Sequence, residues 1–308
     1  RKRLESSPGT PSVIIEMGDS IEAVVEDLRF SGPDEPEAAV RAVVQQGEAA
    51  LPVLVREFPG PLFFDRTQPH RRLPRGRDIS AVGRAIAAFG DLAVPYVISL
   101  LNQDDADHRF YAVLLSSEFS HARLVQPLGD RIFDEDRGVA TLALDVLRTL
   151  LPFERELAAL TERLRAEARI PSASLEYRAM ALRALGELRD RGALDMLALF
   201  MEKETAELSE AAYRSLVQIT RQDFGDSAPR WLLWIDNNQD RHRIEWLIDA
   251  LAHTDEPMRR DAADELKELT HEYYGYHPSL TKKERETAQK KYRRWWETDG
   301  RVRFSRGS

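Results

Sequence analysis

The sequence predicts an all-α fold, a solenoid of about seven stacked antiparallel helix pairs, on three observations. A short pattern returns along the chain: Asp or a small hydroxyl residue, a mostly apolar position three residues on, often Arg at the fourth, and Ala at the seventh. It reads Asp105/His108/Arg109/Ala112, Asp136/Val139/Ala140/Ala143, Ser174/Tyr177/Arg178/Ala181, Thr205/Leu208/Ser209/Ala212 and Asp255/Met258/Arg259/Ala262. The Ala positions lie 31, 38, 31 and 50 residues apart, a period typical of stacked supersecondary units. Residues 137–150 carry one broad apolar stripe, Val139, Leu142, Ala143, Val146, Leu147 and Leu150, at the spacing of a single helical face. Sustained period-two alternation of β-branched residues is absent from the sequence.

Each element has its own local warrant. Asp136 precedes the 137–150 stripe as an N-cap whose carboxylate can accept from the first unpaired backbone N–H groups. The same position falls to Asp105, Ser174, Thr205 and Asp255. Second helices carry a Gly and Pro signature: Gly47-Glu48-Ala49-Ala50-Leu51-Pro52 matches Gly90-Asp91-Leu92-Ala93-Val94-Pro95 at a distance of 43 residues. Gly closes one helix through a left-handed backbone and Pro opens the next. Related second helices follow at 121–133 and 192–201. Helix pairs are therefore expected over roughly 35–58, 79–102, 105–134, 137–168, 174–202 and 205–236, with a last set over 241–297.

A longer repeat marks the C-terminal third. Ala212, Leu216, Ile219, Thr220, Phe224 and Gly225 are matched fifty residues later by Ala262, Leu266, Leu269, Thr270, Tyr274 and Gly275. A Trp-bearing helix follows each copy, with Trp231/Trp234 in one and Trp295/Trp296 in the other. Such a helix suits the end of a stack, where the last repeat lacks a neighbour. The expected organisation is a flexible segment at 1–19, a repeat array at 20–236 with a long basic insertion at 59–78, a C-terminal repeat and Trp-rich cap at 237–304, and a vector remnant at 305–308.

The Asp-x-x-apolar-Arg-x-x-Ala starts, the Gly-x-Ala-Val-Pro type second helices and the run Ala184-Leu185-Gly186-Glu187-Leu188-Arg189-Asp190-Arg191-Gly192-Ala193-Leu194 resemble HEAT repeats. They include the short HEAT-like repeats of phycobilisome lyases, and the likeness covers about 35–270. The resemblance implies a right-handed α-solenoid, a HEAT-like superhelix, with Asp and Arg laddering along neighbouring repeats at Asp105/Arg109 and Asp255/Arg259. Ala140 and Ser209 occupy the Arg slot in two units and break any such ladder. On function the family is broad: scaffolds, transport receptors, lyase subunits and a group of DNA glycosylases share the fold.

Composition narrows the classes. There is no Cys among the 308 residues, which excludes disulfides, thiolate metal sites and a Cys nucleophile and fits a reducing compartment; a cytoplasmic setting is expected, and the overall composition suggests a bacterial origin. No apolar run reaches membrane-spanning length. The chain begins at Arg1 rather than Met and reads as an excised fragment. The net charge of −8 disfavours nucleic acid as a partner, because phosphate contacts need a basic face. The charge is uneven, however. Arg66, Arg71, Arg72, Arg75 and Arg77 fall within twelve residues that hold no acid.

Those arginines are the first candidates for partner binding. Loops beyond about 12–15 residues inside a compact array are usually functional or disordered. Leu62-Phe63-Phe64 can pin this one to the array and leave the arginines to an acidic protein surface; a solvated loop that merely neutralises an acidic body is the competing reading. Lys290, Arg293 and Arg294 form a second candidate surface on the Trp helix, where rings either stack on a partner or pack inward beneath snorkelling cations. His108 among Asp104, Asp105 and Asp107 reads as a capping cluster. The pairs Asp104/Asp105 and Asp134/Glu135 and the cluster Asp261/Asp264/Glu265 are assigned to helix starts or solvent faces. No catalytic constellation, metal site or cofactor motif is found. The expected function is a non-catalytic protein–protein interaction module or scaffold. The alternatives are a nucleic-acid-binding or glycosylase-like solenoid, and a lyase- or chaperone-type subunit cradling a ligand or client.

Overall fold

The computed structural model describes residues 20–32 and 36–305. The expected flexible segment 1–19 lies outside the described residues, as does all but the first residue of the expected vector remnant. About 70% of the chain is helical, and the described residues contain no strand, only an isolated antiparallel bridge between Leu62 and Ser80. They divide into two compact units, one ending at Phe119 and the other beginning at Ser120.

In the first unit, α1 (Ile21–Arg29) starts at Ser20, whose hydroxyl accepts from the Ala23 N–H. The pair α2 (Pro36–Gln45) and α3 (Leu51–Glu57) is followed by α4 (Ala81–Ala88) and α5 (Val94–Leu100), then α6 (Ala106–Ser116). The Gly–Pro signature produces one geometry twice. Gly47 and Gly90 take φ of 70° and 56°, a short 3₁₀ turn follows each, and Pro52 and Pro95 stand in the first turn of α3 and α5. First helix packs on first helix (α2 on α4) and second on second (α3 on α5), which is how solenoid repeats bury their apolar faces. The buried layer includes Leu28, Val43, Leu54, Ile86, Val97 and Leu115.

The second unit continues in the same manner with α7 (Val125–Arg131), α8 (Arg137–Thr149), α9 (Glu154–Ala168), α10 (Leu175–Glu187), α11 (Leu194–Lys203), α12 (Ala206–Thr220) and α13 (Ala228–Asn238). Here α8, α10 and α12 stack as one row, while α7 packs on α9 and α11 on α13. The row is tight enough to need glycine at one point. A Cβ on Gly186 in α10 would lie 2.9 Å from the Ser215 Cα of α12, and the Ser215 hydroxyl donates to the Leu182 carbonyl at 2.8 Å. The architecture is all-α, built from stacked helix pairs.

The expected caps form at Asp105, Asp136, Ser174 and Asp255, each accepting from the N–H three residues on. Thr205 holds the cap position without a side-chain bond. The pattern arginine staples the turn before its own helix. Arg109 donates to the Gln103 and Asp104 carbonyls, and Arg259 to those of His253, Thr254 and Pro278. For Arg259 the bonds thus go to backbone carbonyls where the resemblance implied a ladder to Asp, because the turn carbonyls lie within one guanidinium's reach.

The unit closes with α14 (Arg243–Ala250), α15 (Glu256–Thr270), α16 (Lys282–Trp295) and α17 (Arg301–Ser305). The fifty-residue duplication is reproduced atom for atom at its turn. Thr220 and Thr270 each donate to a carbonyl four residues back and accept from an N–H two residues on. Arg221 and His271 both take left-handed φ, at 55° and 57°. Tyr292 and Trp295 of α16, and Trp296 just after it, are buried in one cluster with Ile248 of α14, Leu251 at its end and Leu266 of α15, with the lysines of α16 outward. The rings belong to the core.

Candidate functional site

The segment 59–78 is anchored at two places, at 62–66 and at 76–78. The Phe63 N–H donates to the Ile79 carbonyl at 2.8 Å, beside the Leu62–Ser80 bridge. Backbone pairing does the pinning at Leu62, whose side chain is exposed, while Phe63 and Phe64 are half-buried. Asp65 accepts from the N–H and hydroxyl of Thr67 and folds the next turn. Those bonds hold its carboxyl below the ordinary range, the Thr67 hydroxyl first.

Two clamps then fasten the segment to α6. Buried Tyr111 donates its hydroxyl hydrogen to the Phe64 carbonyl and accepts from the Arg66 N–H, both at 3.1 Å. Burial pushes the Tyr111 phenol upward, so it stays protonated as a donor. The Arg66 guanidinium pairs with Asp107 at 2.7 Å and lies over the Phe110 ring at 4.8 Å. At the other clamp, Arg77 donates to Glu118 from its backbone N–H and through Nε at 2.5 Å. Gly76 lies so close to α6 that a Cβ would sit 2.5 Å from the Leu114 carbonyl oxygen. Asp78 is held in turn by Arg84 at 2.9 Å.

The five candidate arginines therefore divide. Arg66 and Arg77 are engaged by the chain's own acids. Arg71, Arg72 and Arg75 are exposed, and their side chains make no ion pair or hydrogen bond among the described residues. Arg72 and Arg75 line one open cleft of about 740 Å³ with Leu73, Pro74, Arg77, Ser117 and Glu118.

The second candidate surface divides likewise. Arg293 pairs with Asp249 at 3.0 Å, while Lys290 and Arg294 are exposed and unpaired among the described residues. Asp105 caps α6 by accepting from the His108 N–H, and the His108 ring meets Asp105 through Nδ1 at 3.2 Å and the Phe58 carbonyl through Nε2 at 2.9 Å. A further cleft of about 570 Å³ opens in the second unit beside Ala140, which fills the Arg slot of its repeat; Leu144, Met180 and the Arg137–Glu176 pair also line it.

One cluster escapes the sequence reading. Glu265, assigned above to a helix start or solvent face, is buried with its side chain 3% exposed. It meets Arg189 at 3.2 Å, Arg221 at 3.3 Å and Arg243 at 2.5 Å, from the ends of α10 and α12 and the start of α14. The overlooked signal is its register, three residues after core Ala262 and fifty after buried Ser215. Asp261 adds a pair to Arg221 at 3.5 Å. These contacts join four helices, and with its oxygens already taken Glu265 is not a free base.

No family model matches the chain, and no curated protein matches it. Among solved structures, the chain is similar to the complex of CpcE and CpcF of phycocyanin lyase from Nostoc sp. PCC7120, at 16% identity and TM-score 0.37 over 76% of this chain and 100% of that one. It is similar to computationally designed armadillo repeat proteins for modular peptide recognition, at 15% identity and TM-score 0.32 over 80% and 99%. A further engineered protein matches at 16% identity and TM-score 0.33 over 82% and 96%. At such scores these likenesses say nothing of function, and the repeat architecture rests on the helix pairs themselves.

Proposed function

We propose that the chain is a non-catalytic, protein-binding scaffold whose Arg71, Arg72 and Arg75 contact an acidic segment of a partner. The supporting observation is the division of the loop. Arg66 and Arg77 are used to hold it against α6, and the three arginines between them have guanidiniums unpaired among the described residues. A merely solvated loop has no need of two clamps, each reaching some 40 residues along the chain. Exposed guanidiniums that desolvate against carboxylates act as binding anchors. Lys290 and Arg294 offer a second, weaker contact. No described helix is long and apolar enough to cross a membrane, and the reading places the protein in the cytoplasm, where a Cys-free chain is at home.

Fluorescence anisotropy with a labelled Asp/Glu-rich peptide tests it. A hydrogen bond to a charged group contributes about 1.5–3 kcal/mol, about tenfold or more in affinity. Replacing Arg71, Arg72 and Arg75 together by Ala should therefore abolish measurable binding and leave the thermal melt unchanged, since these side chains make no bond among the described residues. Unaltered affinity in the triple variant sinks the proposal.

A further inference from the structure

We infer that the cleft lined by Arg72 and Arg75 takes a phosphoryl group carried on the partner's segment. This rests on the partner-binding reading above and adds the chemistry of the ligand. The cleft holds one acid, Glu118, whose side chain is only 9% exposed. Arg77 occupies it from three sides. Nε and Nη2 each reach Oε2 at 2.5 Å, and the backbone N–H reaches Oε1 at 3.3 Å. That pair cancels itself and leaves no carboxylate for Arg72 or Arg75.

The end of α6 faces the same cleft. Its last carbonyls are occupied: Leu114 accepts from the Ser117 hydroxyl and N–H, Leu115 from the Glu118 N–H, and Ser116 from the Phe119 N–H. What remains of the helix dipole there is about half a negative charge, set against two whole guanidiniums that pair with no acid among the described residues.

A net charge between one and two is more than a single carboxylate neutralises. It matches a phosphate monoester, which carries about −1.5 to −2 at neutral pH. Geometry points the same way. One guanidinium fork saturates both oxygens of a carboxylate, whereas the three terminal oxygens of a phosphoryl group accept from two forks at once. The segment from 66 to 77 uses five Arg and no Lys, the residue type suited to planar, bidentate recognition of phosphate. The seam around Arg77 and Gly76 fixes the loop beneath these side chains, so little backbone ordering is lost on binding.

The test uses the full chain and three labelled Gly/Asp peptides that differ at one central position: phosphoserine, Glu or Ser. The phosphoserine peptide should bind about tenfold or more tightly than the Glu peptide. The double variant Arg72→Lys/Arg75→Lys, which keeps the charge and loses the forks, should erase that preference while leaving the Glu peptide within about twofold. Lowering the pH from 7.5 to about 5 should weaken the phosphoserine peptide alone, because the second phosphate ionisation lies near 6. Inorganic phosphate as competitor separates the source. Displacement only at concentrations far above the peptide's supports a group presented on a chain; free phosphate binding as tightly as the peptide overturns it. Equal binding of the phosphoserine and Glu peptides refutes the phosphoryl assignment but leaves the acidic-partner reading intact. Absence of binding by either refutes both.

Discussion

Replacing Glu265 by Gln should be among the most damaging single changes in the second unit. The side chain is 3% exposed, and the arginines around it are 22% (Arg189), 15% (Arg221) and 13% (Arg243) exposed, so all four groups are largely withdrawn from water. Gln keeps the shape and one acceptor but removes the charge, leaving three guanidiniums to repel one another in a poorly hydrated place. Breaking a buried pair by removing one partner costs about 3–5 kcal/mol. Arg189 and Arg221 also sit at φ of 57° and 55°, a left-handed conformation that costs a non-glycine residue about 1–2 kcal/mol and that their bonds to Glu265 help to offset. Urea denaturation followed by circular dichroism measures the change, with fluorescence of Trp231, Trp246, Trp295 and Trp296 reporting on the second unit separately. Acid supplies an internal control. Burial pushes the Glu265 carboxyl up, but the Arg243 hydrogen bond and the charges of Arg243, Arg189 and Arg221 outweigh it and hold the group below the ordinary carboxylate range. A depressed pKa means the stabilisation is complete above the unfolded value of about 4.3 and is lost as pH falls through the folded one. The wild-type unit should therefore lose its advantage over the Gln variant in strong acid. A loss smaller than about 1 kcal/mol at pH 7, or a difference that persists unchanged in acid, refutes the view that this network holds the four helices together.

Two further outcomes follow from local geometry. Gly186→Ala, which in an exposed helix interior would stabilise by up to about 1 kcal/mol, should here destabilise by about 1–3 kcal/mol, because the added Cβ meets the Ser215 backbone at 2.9 Å; a gain in thermal midpoint contradicts that contact. Asp136→Ala should cost about 0.5–2 kcal/mol by removing the acceptor of the Val139 N–H. Thr205→Ala, at the same position of a later repeat but with no cap bond, should cost distinctly less in the same denaturation assay.

What the sequence discloses and what it withholds divide by distance along the chain. A cap, a Gly–Pro turn or an apolar stripe is decided within a few residues, which is why Asp136 caps α8 and Gly47 and Gly90 bend alike. The fifty-residue duplication is legible for the same reason: each copy of Thr220 or Thr270 bonds within its own turn. The fates of the five loop arginines are not local. Arg66 and Arg77 resemble Arg71, Arg72 and Arg75 in every sequence property, and they differ because Asp107 and Glu118, about 40 residues away, stand where two of the five can reach them. Glu265 hides its role equally well. A carboxylate on a charged helix reads as solvated until arginines from three other elements close over it. In a stack of repeats the pattern fixes each helix, while charges carried between elements decide which cations are spent within the chain and which are left for a partner. The function we propose for the loop therefore rests on Arg71, Arg72 and Arg75, whose side chains have no partner among the described residues, and Arg72 and Arg75 stand in one cleft.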